Sequence, residues 1–373
     1  MRSEVCHLQV GDSLMLVSDF DFDLPPELVA QDPPAERSGG RLLCLARATG
    51  RTEHSAIADL AGRLREGDLL VVNNTRVFPA RLLGRRAPSG GAVECFLIAR
   101  LEAEAGDDAG AERWSALVHP GQKLKPGARV IFEGAHTVRG EVLERGFHGR
   151  RVVRLQADPL AGRAVSVDEA VEAIGHVPLP PYIRREDRRE DRERYQTMFA
   201  EPKGSVAAPT AGLHFSPSLV ERLKAAGVQL ASVTLHVGYG TFQPVRVERV
   251  EDHRVAAERF EVSDTAASVI NRALDEGRRV VAVGTTTTRT LEAVARAHGG
   301  RLAQARGETD LFIYPGFEFK VVSGLLTNFH LPQSSLLMLV AAFAGREPVL
   351  AAYREAVAAR YRFYSYGDAM LIV

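Results

Sequence analysis

Two short turns rich in glycine and proline, each delivering a histidine, constrain this chain more than any other feature. The first turn lies in residues 203–215 and contains His214, and the second lies in residues 235–242 and contains His236. One helical segment separates them. Glycine and proline contribute little to a packed core at such positions, but they let the backbone approach a ligand closely. The pattern predicts an active site at strand ends, with both imidazoles facing one cavity.

Length and composition indicate the class of protein. The chain has 373 residues, of which 45% are hydrophobic and 25% are charged, and its formal net charge is zero. These values are typical of an ordinary globular protein with about two domains. They exclude a strong overall attraction to nucleic acid or membranes, so any RNA contact must depend on a local patch.

Cysteine spacing and hydropathy predict a cytoplasmic protein. Cys6, Cys44 and Cys95 lie far apart and form no Cys-x-x-Cys pair, so we expect neither a zinc site nor a disulfide framework. The sequence has no apolar run of about 18 residues that would cross a membrane. Residues 1–17 also lack the basic and apolar regions of a secretory signal. We therefore expect no metal and no membrane partner.

The order of strand and helix signals divides the chain into two domains. Residues 69–75 read as a buried strand that ends in a polar turn. Short apolar runs between polar or Gly-rich turns then predict a small antiparallel barrel or sandwich, and strand–helix alternation follows it. We predict a mixed α/β major domain made of residues 1–78 and 156–373. A small antiparallel β-barrel is inserted at residues 79–155.

Capping signals predict the helices of the major domain. A Ser-x-x-Glu box at residues 218–221 predicts a helix that ends at Gly227. Ser263 or Asp264 is expected to cap a second helix. The remaining predicted helices are residues 285–297, 334–344 and 348–359.

Polar and basic residues follow the first buried strand. Asn73 and Asn74 place two amides at its end, and four arginines follow with no acidic residue between them. These arginines are Arg76, Arg81, Arg85 and Arg86. Such a run predicts a phosphate-facing patch. The alternative is an arginine-rich connection between domains.

Three further segments carry polar residues beside apolar ones. Residues 175–197 contain Arg184 and Arg185 in a nearly neutral charged stretch, for which a solvated loop is the alternative interpretation. Asp310 and His330 lie in polar turns that border predicted strands. The aromatic tail at residues 361–370 surrounds Asp368, and it either binds a base or a cation or packs into the sheet as a strand.

Taken together, these motifs resemble the family of S-adenosylmethionine:tRNA ribosyltransferase-isomerases of queuosine biosynthesis. The resemblance covers nearly everything after Ser18. One departure concerns a His-x-Met-His-x-Glu element of the family, which here begins at His253 and has Ala256 in place of its second histidine. Other departures are Gly40, where serine is usual, and the pair Thr287–Thr288. The matching segments are residues 19–25, 30–31, 69–81, 119–121, 175–197, 206–215, 235–242, 284–292, 309–316, 327–332 and 361–370.

The resemblance implies an unusual reaction. The ribosyl part of S-adenosylmethionine is transferred to 7-aminomethyl-7-deazaguanine in a tRNA anticodon and rearranged, which gives epoxyqueuosine, adenine and methionine. S-adenosylmethionine is then a consumed co-substrate, tRNA is the partner, no metal takes part, and a monomer is expected. This reaction needs a base near the sulfonium and a proton donor for adenine, and histidine suits both transfers.

Candidate roles follow from that chemistry. We predict His214 and His236 as the acid and base, with Asp310 or Glu258 orienting them or facing the sulfonium. Arg289 is expected to pair with the methionine carboxylate. The predicted substrate-binding residues are Asn73, Asn74, Arg76, Thr210, Gly238, Gly240, Thr285, Arg289, His330 and Asp368. The predicted RNA-binding residues are Arg81, Arg85, Arg86, Arg184 and Arg185.

Two other functions remain open at the level of sequence. A non-catalytic RNA-binding protein would explain the inserted β domain and the arginine run, but it leaves the two histidine turns without a role. A transferase that acts on a free nucleoside would need no tRNA.

Overall fold

The computed structural model describes residues 14–104, 106–146, 149–242 and 244–373. Cys6 and most of the segment considered as a secretory signal lie outside the described residues. A nine-stranded mixed sheet and a closed six-stranded barrel dominate the described part of the chain, and a short two-stranded sheet lies beside them. The predicted fold class, a mixed α/β domain with a small antiparallel β-barrel, is confirmed.

The large sheet takes strands from both sides of the barrel in sequence. In chain order its strands are Arg41–Leu45 (β1), Thr52–Ala56 (β2), Leu69–Asn73 (β3), Gln229–Leu235 (β12), Glu258–Val262 (β13), Val280–Val283 (β14), Ala305–Thr309 (β15), Gly324–Asn328 (β16) and Ala369–Ile372 (β17). Their order across the sheet is β15-β13-β12-β3-β14-β16-β17-β1-β2. The strands between these two groups belong to the barrel and to the two-stranded sheet.

The direction of the strands brings many chain turns to one edge of the large sheet. Strands β12, β3, β14 and β16 are mutually parallel, so their carboxyl ends meet at that edge. Strand β13 runs antiparallel to β12, and β17 runs antiparallel to β16, so both strands begin at that edge. In open α/β sheets this edge is where ligands usually bind.

Hydrophobicity explains why the central strands lie inside. Every residue of β3, β14 and β16 is buried, as continuous apolar runs in parallel strands require when both sheet faces are covered. The predicted strand at residues 69–75 is therefore confirmed as β3, with Asn73 as its last residue. On one face the sheet packs against a core that includes Leu69, Ile270 and Leu291.

The barrel lies between β3 and β12 in sequence. Its strands, in the order in which they pair around the barrel, are Arg150–Ala157 (β10), Glu112–His119 (β7), Ala92–Arg100 (β6), Arg81–Ala87 (β5), Arg129–Glu133 (β8) and Thr137–Arg145 (β9). All six pairings are antiparallel. Because these six pairings close into a ring, the segment is a barrel and not a sandwich. Leu82, Leu97, Phe132 and Leu155 are fully buried within its core. The two-stranded sheet pairs Arg76–Val77 (β4) with Lys203–Ser205 (β11).

The helices follow the predicted signals with small corrections. They are Leu60–Arg63 (α1), Val167–Ile174 (α2), Asp191–Arg194 (α3), Pro217–Ala225 (α4), Asp264–Asp275 (α5), Thr285–Ala297 (α6), Ser335–Ala344 (α7) and Arg346–Ala358 (α8). The capping box predicted at Ser218 is wrong. Ser216 caps α4 instead, because its Oγ accepts a hydrogen bond from the N–H of Leu219 at 3.3 Å. Ser263 caps α5, as one of the two alternatives predicted.

Across the described ranges no single helix is long and apolar enough to cross a membrane. Helices α7 and α8 satisfy the criterion only when taken together, and they are bent by 116° relative to each other.

Candidate active site

A cleft of about 580 Å³ opens at the carboxyl edge of the large sheet. We call it the main cleft. The short 3₁₀-helix Thr210–His214, the start of α6, the segment after β16 and the aromatic tail all contribute to its walls. Its lining includes Tyr182, Ala207, Pro209, Thr210, Thr241, Gly284, Thr285, Thr286, Thr327, Asn328, His330, Leu336, Tyr364 and Ser365. Neither a carboxylate nor a guanidinium occurs among the described lining residues.

The N-terminus of α6 forms one wall of the main cleft. Gly284, which precedes the helix, has a φ of +87°, a conformation that favours glycine. Thr285 and Thr286 then begin the helix and line the cleft. Backbone N–H groups at a helix start have no partner within the helix, so they can bind electronegative ligand atoms.

Asn73 holds this wall in place without lining the cleft. Its Nδ2 donates to the carbonyl oxygen of Leu235 at 3.0 Å and to Oγ1 of Thr286 at 3.1 Å. Its Oδ1 accepts from the N–H groups of Thr75 and Leu235, both at 3.1 Å. All its hydrogen-bonding capacity is used within the protein, so the structure gives Asn73 a positioning role, and the substrate contact predicted for it stays a prediction.

His214 is almost fully buried, with 3% of its surface exposed. Nδ2 of Asn328 lies 3.2 Å from its Nε2, and burial lowers the pKa of His214 to about 4. The ring lines a separate, smaller cavity beside the main cleft. At neutral pH His214 is therefore an uncharged imidazole.

His236 lies beyond the other side of the cleft wall. Its Nδ1 is 2.8 Å from Oγ1 of Thr75, and a Cβ on Gly204 would lie 2.8 Å from the ring. Its neighbour Val237 lines the main cleft, whereas His236 does not. Because successive residues of an extended segment face opposite ways, only one of the two can face the ligand. The prediction that His214 and His236 converge on one cavity is wrong, and their catalytic roles stay predictions.

His330 is the imidazole that lines the main cleft. Its Nε2 lies 2.9 Å from Oγ1 of Thr327, and its N–H donates to the hydroxyl of Tyr353 at 3.1 Å. Burial lowers the pKa of His330 to about 3. This residue was predicted as a substrate contact, and the structure places it where such a contact is possible.

Asn328 is a cleft residue that the sequence interpretation did not select. Its Nδ2 donates to the carbonyl oxygen of Tyr364 at 2.9 Å and faces Nε2 of His214. Its Oδ1 is buried and has no hydrogen-bond partner within the protein. A buried acceptor without a partner is costly, so a ligand donor would satisfy it.

A second cleft of about 570 Å³ adjoins the main cleft, and both are lined by Thr241 and Leu336. Its lining includes Gly240, His253, Ala256 and Arg289. Ala256, which replaces the family histidine, is exposed there. A Cβ on Gly240 would lie 3.1 Å from the Cβ of Ala256, so glycine permits this close approach.

Glu258 and Arg289 form a buried ion pair at the border of the two clefts. Oε1 of Glu258 accepts from the N–H of Gly238 at 2.7 Å and from Oγ1 of Thr241 at 3.1 Å. Arg289 Nε also donates to the carbonyl oxygen of Leu311 at 2.8 Å. The carboxylate of Glu258 is thus committed to protein donors, whereas Arg289 still lines the second cleft.

Other predicted acidic and polar residues lie outside both clefts. Asp310 is exposed. Asp368 is buried and accepts from the N–H of Arg41 at 2.9 Å and from the N–H of Arg362 at 2.8 Å. Asn74 accepts from Thr234 Oγ1 at 2.7 Å. The structure therefore gives Asp368 and Asn74 roles in holding loops together.

The predicted arginine patch is partly neutralised across strands. Arg81 pairs with Glu94 at 2.9 Å, and Arg85 pairs with Glu133 at 2.8 Å. Both partners lie on neighbouring barrel strands, which is why the local sequence shows no acid. Arg86 is half-buried and Arg76 is exposed.

Arg184 and Arg185 also differ in their exposure and in their pairing with acidic residues. Arg184 is exposed, whereas Arg185 pairs with the buried Asp191 at 2.7 Å and with Asp32 at 3.1 Å. Arg185 therefore stabilises its loop, and Arg184 remains available for an RNA contact.

Cleft residues that the sequence interpretation missed lie in motifs it had noted. Thr286 follows the selected Thr285, Asn328 lies two residues before His330, and Tyr364 and Ser365 lie in the aromatic tail. The strand interpretation of the tail is confirmed for Ala369–Ile372, whereas Tyr364 and Ser365 line the cleft and their binding of a base or a cation stays a prediction. Within the described ranges, no group of three or more His, Cys, Asp or Glu side chains could hold a metal ion.

Comparison with known proteins identifies the family. A family model described as queuosine biosynthesis protein matches residues 17–372, and the chain belongs to this family of enzymes. The resemblance read from the motifs is thereby confirmed.

Two curated relatives and one solved structure show how far the similarity extends. The S-adenosylmethionine:tRNA ribosyltransferase-isomerase of Heliobacterium modesticaldum is 50% identical over 359 residues, which cover 96% of this chain and 100% of that protein. The protein of the same name from Sorangium cellulosum is 51% identical over 367 residues, 95% of this chain and 97% of its own. The crystal structure of S-adenosylmethionine tRNA ribosyltransferase from Thermotoga maritima is 40% identical with a TM-score of 0.53, and the match covers 95% of this chain and 100% of that one.

Proposed function

We propose that this enzyme transfers and isomerises the ribosyl part of S-adenosylmethionine onto 7-aminomethyl-7-deazaguanine in a tRNA anticodon, with release of adenine and methionine. The names of the relatives support the co-substrate and the RNA. The observation that carries the proposal is the main cleft, a neutral pocket at the carboxyl edge of the parallel strands that adjoins a second cleft containing Arg289.

The lining of the main cleft suits a sulfonium nucleoside. The ring centroids of Tyr182 and Tyr364 lie 3.8 Å apart with an interplanar angle of 55°, and aromatic faces attract cations. Glu258 is engaged by Arg289 and Asp310 is exposed, so neither carboxylate faces the main cleft. We therefore assign sulfonium binding to the tyrosines instead of the two acids.

Arg289 supports a place for the methionine part. It lies in the second cleft, which meets the main cleft at Thr241 and Leu336. A guanidinium carries five N–H donors and can serve a carboxylate in addition to Glu258. In this arrangement the methionine carboxylate reaches Arg289 while the nucleoside occupies the main cleft.

Proton transfer is best assigned to His330. It is the described lining residue of the main cleft that carries an imidazole. Burial lowers its pKa to about 3, so the ring is uncharged at neutral pH, and it serves as the base only if the bound substrate raises that pKa towards the working pH. His214 influences the main cleft through Asn328, which it contacts. The side-chain oxygen of Asn328 has no partner within the protein, so it is left to accept a hydrogen bond from a ligand. His214 is thus proposed as a positioning residue, and the role predicted for His236 has no cleft contact to support it.

An adenine-release assay tests the proposed function. The enzyme is incubated with S-adenosylmethionine and either tRNA bearing 7-aminomethyl-7-deazaguanine, the free modified base, or unmodified tRNA. We expect adenine release with the modified tRNA alone. Release with the free base would favour the nucleoside transferase, and RNA binding without adenine release in any mixture would favour the non-catalytic RNA-binding protein.

A further inference from the structure

A third cavity, of about 260 Å³ including the space open to solvent, lies beside the main cleft. We call it the arginine cavity, because Arg37 and Arg194 line it together with His214 and Ser365. Ser365 lines the main cleft as well. The two spaces are therefore direct neighbours, separated by the contact between Asn328 and His214.

Both guanidinium groups in the arginine cavity keep buried N–H donors without partners. Nη1 of Arg37 and Nε of Arg194 are buried and bond to nothing within the protein. The remaining contacts of these two groups are to backbone oxygens: Arg37 Nη2 donates to Glu193 O at 2.9 Å, and Arg194 donates to Ala35 O at 3.3 Å and to Pro34 O. An unsatisfied buried donor on a charged group is costly, and native proteins keep few of them.

The charges around the cavity leave it positive. Burial, and then the neighbouring Arg194, lower the pKa of Arg37, whereas Glu193 opposes that shift. The nearby carboxylates of Asp191 and Asp368 are already bound by other groups: Asp191 by Arg185 and Tyr366, and Asp368 by Arg41 and Arg362. Two adjacent guanidinium groups without a bound carboxylate form a site that an oxyanion would complete.

We propose that the arginine cavity is an oxyanion-binding subsite that holds a backbone phosphate of the RNA next to the base in the main cleft. The inference of an oxyanion site is drawn from the two unpartnered guanidinium groups in the cavity, whereas its assignment to the RNA backbone rests on the proposed function. A phosphate bound there fixes the register of the strand, and the base specifies the substrate. The same chemistry would also suit the methionine carboxylate, but Arg289 already serves the second cleft.

Binding measurements on arginine variants test this subsite. Arg37→Gln and Arg194→Gln are compared with Arg272→Gln, which removes an exposed charge from α5. We expect each cavity variant to weaken binding of a modified anticodon stem-loop about 10-fold and to lower the slope of log affinity against log salt by about 1. The KM for S-adenosylmethionine should stay within about 2-fold of wild type, and the control should change neither quantity.

Other results of these binding measurements would reassign the subsite or overturn it. If the KM for S-adenosylmethionine rises about 10-fold while RNA affinity is unchanged, the site binds an oxyanion but the carboxylate supplies it. If neither quantity changes in Arg37→Gln and Arg194→Gln, the proposal is overturned. Wild-type enzyme that releases no adenine with modified tRNA refutes the proposed function, and the oxyanion site is then judged with inorganic phosphate.

Inorganic phosphate provides that independent readout. It should raise the unfolding temperature of the wild-type protein and of Arg37→Lys, which keeps the charge, but not that of the double variant Arg37→Gln/Arg194→Gln. Equal stabilisation of wild type and double variant would refute the subsite. Because Arg37→Lys retains a cation, it also separates loss of binding from loss of folding.

Discussion

The side-chain nitrogen of Asn328 lies 3.2 Å from Nε2 of His214 and 2.9 Å from the carbonyl oxygen of Tyr364. Since that carbonyl oxygen can only accept, the orientation of the amide is fixed. The second N–H then faces an unprotonated imidazole nitrogen, which agrees with the lowered pKa of His214. The amide oxygen is left for a ligand.

Replacing Asn328 should impair catalysis more than folding. Asn328→Ala removes the buried acceptor, and we expect kcat/KM for S-adenosylmethionine to fall about 10-fold or more, because a lost buried hydrogen bond costs about 1–3 kcal/mol. The matched control is Asn271→Ala. The amide of Asn271 bonds the backbone of Leu302, so its loss should lower the free energy of unfolding and leave kcat/KM unchanged. Equal kcat/KM in wild type and Asn328→Ala would refute a ligand contact.

Acid should destabilise the protein through its buried histidines. Burial lowers the pKa of His214 to about 4 and that of His330 to about 3. Between those values and the unfolded pKa of about 6.5 the unfolded chain binds more protons, so stability is full above pH 6.5 and falls as the pH decreases. Each histidine contributes up to about 1.4 kcal/mol per pH unit. Urea unfolding at pH 7, 6 and 5 should show a shallower loss for His214→Gln, and an unchanged slope would contradict this account.

Breaking the buried pair of Glu258 and Arg289 should be costly. Glu258→Ala leaves the guanidinium buried without its carboxylate, and we expect the free energy of unfolding to fall by about 3–5 kcal/mol. Glu261→Ala is the control, since its pair with Arg306 is exposed and should contribute less than about 1 kcal/mol. Denaturant titration measures both variants. Similar losses of unfolding free energy in the two variants would show that burial does not determine how much the Glu258–Arg289 pair stabilises the protein.

Variants of the neighbouring residues Arg184 and Arg185 should distinguish a role in RNA binding from a role in stability. Arg184→Gln removes an exposed charge and should weaken tRNA binding, with a salt slope lower by about 1. Arg185→Gln removes the partner of buried Asp191, so the unfolding temperature should fall. Filter binding at several salt concentrations and thermal unfolding distinguish the two. If Arg184→Gln binds tRNA like wild type, the RNA contact predicted for Arg184 is wrong.

The sequence predicted those parts of the fold that depend on local patterns. The buried strand β3 follows from a continuous apolar run, and the bounds of α6 agree with the prediction because Gly284 and the polar threonines mark its start. The cap of α4 was misplaced by two residues because Ser216 and Ser218 both precede apolar residues. Only the backbone conformation decides between them.

The site was harder to predict because it depends on which way side chains point and on contacts between distant segments. His236 and Val237 are adjacent, yet only Val237 lines the main cleft. Likewise, Glu94 and Glu133 neutralise Arg81 and Arg85 through strand pairings that the local sequence does not contain. Asn328 was overlooked because its role depends on the carbonyl group of Tyr364.

Strand β17 affects the order in which the chain folds during synthesis. It joins β1 and β2 to the rest of the nine-stranded sheet, because β1 pairs with β2 on one side and with β17 on the other. Strands β1 and β2 are synthesised early, but they can join the large sheet only after β17, which is synthesised late. Such distant pairings form slowly, so the nascent hairpin of β1 and β2 is where chaperones would be expected to act.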